Sequence, residues 1–340
     1  MSKKFTLLFI TLILLLTACA SKPEEEAKQE PNGRVSYEFF DTVSYIYNYG
    51  EDSTDEFKKL SEEVFSILRE YHQLCDIYNE YEGINNLCTI NKNAGETFKV
   101  DPKLIEFLDF CKELYKLTEG KTNVMLGSVL RIWHNYRDEG SAIPSLEELE
   151  EANLHTDIDL LVIDHENNTV TITDPEASID VGAIAKGYGT EKAGQYIESL
   201  GKSAYVLNIG GNIRIVGTKP NGDSWSTAVI DPKDRENFAL HIYLADTAFV
   251  TSGDYIRFYV VDGKRYHHII DPDTLFPSDY FASVSIYCKD SGLADALSTA
   301  LFSMSYEKGL ELAEKLDIGV IWIYKNGDIK YTQNIKNLIY

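Results

Sequence analysis

Ser178-Ile179-Asp180-Val181-Gly182-Ala183-Ile184-Ala185-Lys186-Gly187-Tyr188 is the stretch on which the reading of this chain turns. A carboxylate, small residues and a lysine lead into Ala185 to Leu200, which has a helical pattern closed by Gly201. Downstream, Ala294-Asp295-Ala296-Leu297-Ser298-Thr299-Ala300 echoes it, with Asp295 and Thr299 one helical turn apart. Two oxygens on one helix face, opposite a glycine-rich loop with a lysine, suit a hard cation and a phosphate ester. A solvated Asp beside a core-facing Thr is the plainer alternative. The loop is not a P-loop, because Lys186 precedes Gly187 and no Gly-Lys-Ser/Thr follows. Nor is it the dinucleotide fingerprint, which needs a third glycine and a clean βαβ unit. Amides at the start of the helix, with Lys186, can still face an anion.

On either side, local patterns predict an α+β chain. Glu38 to Tyr49 reads as a strand, Ser53 to Asn79 as a helix with Phe57, Leu60, Val64, Leu68 and Tyr71 at helical spacing. Asp101-Pro102 opens a second helix through Lys116. Two short strands flank the Glu166-Asn167-Asn168 turn. From Ser203 strands dominate: Tyr205 to Ile209, Ile213 to Val216, Trp225 to Ile230, His241 to Leu244, Ala248 to Thr251, Tyr255 to Val261 and Ser283 to Tyr287. Helices at Gly292 to Phe302 and Tyr306 to Leu316 precede strands at Gly319 to Tyr324 and Ile329 to Thr332. The expected architecture is a largely antiparallel sheet core with helices packed outside it.

The N-terminus predicts location. Lys3 and Lys4 precede the apolar run Phe5 to Leu16, too short for a span of roughly 20 residues, and Leu16-Thr17-Ala18-Cys19 follows. That ending resembles the lipobox of bacterial lipoproteins, which makes Cys19 the lipidated mature N-terminus; an ordinary signal peptide is the alternative. The expected organisation is a signal peptide over 1–18, a flexible acidic tether over 19–35 and one catalytic domain over 36–340. The localisation expected is extracytoplasmic, lipid-anchored to the cell membrane. A net charge of −22 over 340 residues excludes nucleic acid as an expected partner. Cys75, Cys88, Cys111 and Cys288 show no metal or redox spacing, and no disulfide pairs can be named from them.

At this point several ordered motifs converge: Phe40-Asp41-Thr42, Asn85 to Asn91, Ser178 to Tyr188, Leu207 to Asn212, Thr251 to Tyr255, His268 to Pro272 and Ala294 to Ala300. Together they resemble the FAD:protein FMN transferase family, the ApbE-like flavin transferases, across nearly the whole mature chain. The resemblance implies an ApbE-like, T-fold-related architecture, with FAD as substrate and Mg²⁺ as cofactor. It implies transfer of FMN to a threonine hydroxyl of an acceptor flavoprotein, with release of AMP. It assigns Asp180, Lys186, Phe40, Tyr78, Lys121, Thr122, Asn123 and Ile270 to FAD, and Asp295, Thr299 and the Ala183 carbonyl to the metal. His268 stands where the family bears a histidine discussed as catalytic; Asp295, Asp254 and His268 all remain candidates for the base. Phe40-Asp41-Thr42 departs from the usual Met-Gly-Thr, and Thr122 to Gly127 from the usual Phe-Asp-Pro-Thr-Val-Gly. A metal-dependent FAD pyrophosphatase and a non-catalytic flavin-binding lipoprotein are the competing readings.

Overall fold

The computed structural model describes residues 32–340; Cys19, the signal segment and most of the tether lie outside the described residues. In chain order the first elements are β1 (Asn32–Ser36), β2 (Ser44–Asn48), α1 (Thr54–Cys75), α2 (Leu87–Lys92), β3 (Thr97–Lys99) and α3 (Pro102–Leu117). Next come α4 (Gly127–Glu139), α5 (Leu146–Asn153), β4 (Leu161–Asp164), β5 (Thr169–Ile172), α6 (Ala185–Ser199), β6 (Tyr205–Ile209), β7 (Asn212–Val216), β8 (Trp225–Ile230) and β9 (Phe238–Leu244). The remainder is β10 (Ala248–Gly253), β11 (Phe258–Val261), β12 (Lys264–His267), β13 (Ser283–Cys288), α7 (Ser291–Phe302), α8 (Tyr306–Lys315), β14 (Gly319–Ile323) and β15 (Ile329–Tyr331).

The sheet that organises the chain has eight strands in the order β1-β2-β6-β7-β10-β13-β14-β15. Every neighbouring pair runs antiparallel. Its two faces carry different cores. On one, Ile46, Tyr205, Leu207 and Ile209 meet α1 and α6, while Val284, Ile286, Val320 and Trp322 meet α7 and α8. On the other, Ile215, Phe249, Ile321 and Ile323 meet the β8–β9 hairpin. Strand β14 is therefore buried at every residue, as a strand covered on both faces must be.

Two expectations need correction. Residues 32–35 are not tether: they form β1, paired with β2 from Asn32↔Asn48 to Ser36↔Ser44. Backbone pairing does not require apolar side chains, and Arg34 reinforces it by donating to Glu62 and Ser61 of α1. The strand expected over Glu38 to Tyr49 begins only at Ser44, after a turn in which Phe40 and Asp41 have φ of 53° and 50°. That left-handed backbone is where a glycine would cost nothing and an aspartate is tolerated.

The helices pack outside the sheet as expected, and one of them is itself covered. In α7, ten of twelve residues are buried. The helix is sandwiched between strands β10 and β13 and helix α6. The two helices approach so closely at Gly187 that a Cβ there would lie 2.4 Å from the Asp295 Cβ and 2.4 Å from the Ser291 carbonyl. A small-residue stripe on α6 is what allows this crossing. All four described cysteines are buried free thiols.

Candidate active site

The crossing of α6 and α7 builds the site. Asp295 is 4% exposed, and its Oδ2 accepts the Gly187 amide at 2.8 Å and the Lys186 ammonium at 3.3 Å. Because the Gly187 amide turns to Asp295, no backbone donor takes the Ala183 carbonyl among the described residues. Asp295 Oδ1 and Thr299 Oγ1 likewise have no hydrogen-bond donor among them. Three oxygens at this corner are thus left with free lone pairs. The helix start itself is uncapped: Ile184 makes no side-chain cap bond, and the Lys186 amide has no acceptor among the described residues. Such a terminus carries partial positive charge and attracts anions.

The loop ahead of α6 is held from outside. Asn91 clamps Ile179 in both directions, donating to its carbonyl at 2.8 Å and accepting its amide at 2.7 Å. The Asp180 amide donates to the Val124 carbonyl at 2.8 Å, and Asp180 Oδ1 accepts the Gly182 amide at 2.9 Å. Asn91, the last residue of the Asn85 to Asn91 motif, is therefore scaffolding for this loop.

His268 follows β12. Its amide and its Nδ1 both donate to the Arg257 carbonyl, at 3.0 and 3.2 Å. A carbonyl can only accept, so Nδ1 carries the proton and Nε2 keeps a free lone pair. Burial pushes the ring down to about 3, with the charges of Arg257 and Lys186 pressing the same way. His268 is therefore neutral at ordinary pH and a weak base by itself. Its neighbour His267 is 5% exposed and fully engaged, with Nε2 donating to the Ser278 carbonyl and Nδ1 accepting the Ile269 amide. Asp254 lies 3.7 Å from Arg265 Nη1, and burial raises its carboxyl above the ordinary value.

The remaining sequence-assigned residues divide into groups. Tyr78 is exposed, its amide bonded to Asp76. Lys121 is held by Asp271 at 2.6 Å and Asp273 at 2.8 Å, so its ammonium ties the 118–123 loop to the Asp271-Pro272 turn. Thr122 donates to the Ala296 carbonyl of α7, and Asn123 caps Met125 while donating to the Thr156 carbonyl. The side chains of Thr122 and Asn123 are thereby committed to the scaffold. Phe40 packs edge-on to His72 and lies over Gly189, and Ile270 is core, 5% exposed.

Sequence reasoning missed three cationic or donor residues. His134 and Arg137 sit on α4, which went unread although Val129, Ile132, Trp133 and Tyr136 carry helical spacing. Arg257 lies among exposed residues, and no local signal marks it. Elsewhere, a wider concavity between α3 and α6 is lined by Glu106, Asp109, Glu113, Glu191 and Asp290. So many carboxylates make it unsuited to a pyrophosphate.

Among curated relatives, a FAD:protein FMN transferase of Vibrio cholerae is 32% identical over 327 residues, covering 95% of this chain and 94% of its own. One of Treponema pallidum is 30% identical over 312 residues, covering 86% and 85%. The crystal structure of the ApbE protein from Thermotoga maritima matches with a TM-score of 0.82 at 29% identity, covering 91% of this chain and 99% of that one. The flavin transferase ApbE from Vibrio cholerae matches at 0.77 and 28%, with the same coverage. Fold and site define an α+β protein with a buried carboxylate–lysine pair at an uncapped helix start. The ApbE family model matches residues 40–322, and the chain belongs to that family.

Proposed function

We propose that this protein transfers FMN from FAD to a threonine hydroxyl of an acceptor flavoprotein and releases AMP. The observation that carries the reading is the α6–α7 corner, where Asp295 is shared by the Gly187 amide and Lys186. Beside it the Ala183 carbonyl, Asp295 Oδ1 and Thr299 Oγ1 have no partners among the described residues. Family membership supports the same chemistry.

Those oxygens fit a Mg²⁺ ion, which takes few protein ligands alongside substrate phosphates. The set contains one carboxylate, one hydroxyl and one carbonyl; no group of three or more His, Cys, Asp or Glu suited to a metal occurs among the described residues. When bound, the ion would neutralise charge on the pyrophosphate. The protein's own part is more direct. The Lys186 ammonium and the free Lys186 amide at the start of α6 hold the phosphates in a region of positive potential. Asp180, fixed by Asn91 and Val124 through its loop, sits at the entrance to the same helix. The threonine proton needs an acceptor, for which Asp295, Asp254 and His268 are the candidates; of the last two, His268 is the one whose ring feels the Lys186 charge.

The decisive experiment combines the protein, FAD, Mg²⁺ and a candidate acceptor. The acceptor should gain the mass of FMN minus water, and AMP should appear in equal amount. Free FMN with AMP and an unchanged acceptor would make the protein a pyrophosphatase. Bound FAD without AMP under any divalent cation would make it a carrier.

We place the protein outside the cytoplasm, anchored through a lipid on Cys19, because Leu16-Thr17-Ala18-Cys19 follows a short apolar run. Two or more acyl chains are sufficient for stable attachment. No helix among the described residues is long and apolar enough to cross a membrane. Cys19→Ala should move the protein from the detergent phase to the aqueous phase on partitioning; unchanged membrane retention would overturn the anchor.

A further inference from the structure

Helix α4 and the β11–β12 hairpin enclose a narrow recess next to His268. His134 and Arg137, one turn apart on α4, line it together with Tyr259, His267 and His268. The recess measures about 240 Å³ including its open mouth, and its interior takes a single water-sized group. No carboxylate lines it, in a chain whose net charge is −22.

Its donors are idle. Tyr259 is 9% exposed and its hydroxyl is buried with no hydrogen-bond partner. Arg137 reaches only the carboxylate of its own neighbour Asp138, at 3.8 Å, beyond hydrogen-bonding distance. Burial raises the Tyr259 phenol to about 12, while the nearby charge of Arg137 pulls it the other way. A buried orphan hydroxyl is costly and persists most readily where a ligand completes it. His267 cannot compete for such a ligand, because both of its ring nitrogens are already engaged.

The geometry points to a phosphomonoester subsite in which Arg137, His134 and the Tyr259 hydroxyl hold an oxygen of the AMP that leaves the reaction. This rests on the transfer reading above. In that reaction the bond from threonine Oγ to the FMN phosphorus forms as the bond from that phosphorus to the bridging oxygen breaks. The electron pair stays on the bridging oxygen, and the threonine proton passes to a base. AMP therefore departs with one more negative charge on its phosphate than the same phosphate had in FAD. A guanidinium and a neutral donor lining one recess bind that product-like charge better than the ground state, and so assist departure. Orthophosphate has the same chemistry in a smaller body and should compete for the recess.

The test uses the whole protein and two variants, Arg137→Met and Tyr259→Phe. Arg137 is partly exposed and Tyr259→Phe removes only an unpartnered hydroxyl, so both should fold. AMP binding is read by calorimetry and by inhibition of FAD cleavage, with orthophosphate and adenosine as parallel inhibitors. Arg137→Met should weaken AMP at least about 10-fold and Tyr259→Phe about 5-fold, on the scale of charged and neutral hydrogen bonds. Orthophosphate should lose its effect in both, and adenosine should act alike on all three proteins. The melting temperature of Tyr259→Phe should hold or rise. Equal AMP affinity in all three proteins would overturn the subsite, and undiminished AMP production would then leave the transfer reading intact. If the wild-type protein makes no AMP from FAD, that reading fails separately, because calorimetry still tests the recess. Adenosine losing affinity in step with AMP would also overturn the proposal, since the phosphate would not be what is held.

Discussion

Replacing Asp295 with Asn is expected to lower Mg²⁺-dependent release of AMP from FAD by at least about 100-fold, the scale for removing one electrostatic contact to developing charge. Asparagine is a better probe than alanine for a structural reason. The side chain is only 4% exposed and accepts the Gly187 amide at the point where α6 and α7 touch. Alanine would orphan that amide and cost about 1–3 kcal/mol in stability, confounding the kinetics. Asn can keep the amide bond through its carbonyl oxygen while removing the charge that Lys186 faces. The melting temperature should therefore stay close to wild type while turnover collapses. AMP release near the wild-type rate would show that Asp295 is only a helix junction.

Arg214→Leu should produce the largest loss of stability, about 3–5 kcal/mol by urea denaturation, the range for breaking a buried ion pair from one side. Arg214 is wholly buried. Its Nε donates to Glu191 at 3.0 Å and its Nη2 to Glu198 at 2.6 Å, while Nη1 donates to the Ile215 carbonyl. Glu191 is itself 5% exposed and also accepts the Ser291 amide at 2.9 Å, which fixes the start of α7 against α6. Without the guanidinium that carboxylate stays buried and unpaired. Arg214→Leu with Glu191→Leu should be more stable than Arg214→Leu alone, because no lone charge remains inside. A single variant losing less than about 1 kcal/mol would show that the network contributes little.

Most elements were legible because they obey local rules. The starts of α1 and α3 follow from Ser53 with its capping box and from Asp101-Pro102, whereas α1 stops at Cys75, short of the expected Asn79, where Asp76 accepts the Tyr78 and Asn79 amides in a turn. Strands β6 and β8 begin and end where their β-branched and aromatic runs do. Helix α5 was legible in principle, since Ser145 caps it through Glu148, but its polar composition concealed it. Strand β1 could not be read at all: its evidence lies in the pairing partner β2 and in Arg34 reaching α1.

The sequence by itself determined the class of structure, the order of its elements and the residue types at the candidate site, because these follow from periodicity, caps and turn chemistry within short stretches. Only the tertiary structure decided which of those residues meet. Lys186 and Asp295 stand 109 residues apart, and a glycine at 187 is what lets their helices touch. It also decided that α7 is interior, since a helical pattern names the apolar face but cannot say whether a second layer covers the other. His134, Arg137 and Tyr259 come from different elements with no shared local signal. They face one recess because two otherwise separate units, α4 and the β11–β12 hairpin, pack on one small apolar core around Trp133, Ile270 and Leu275.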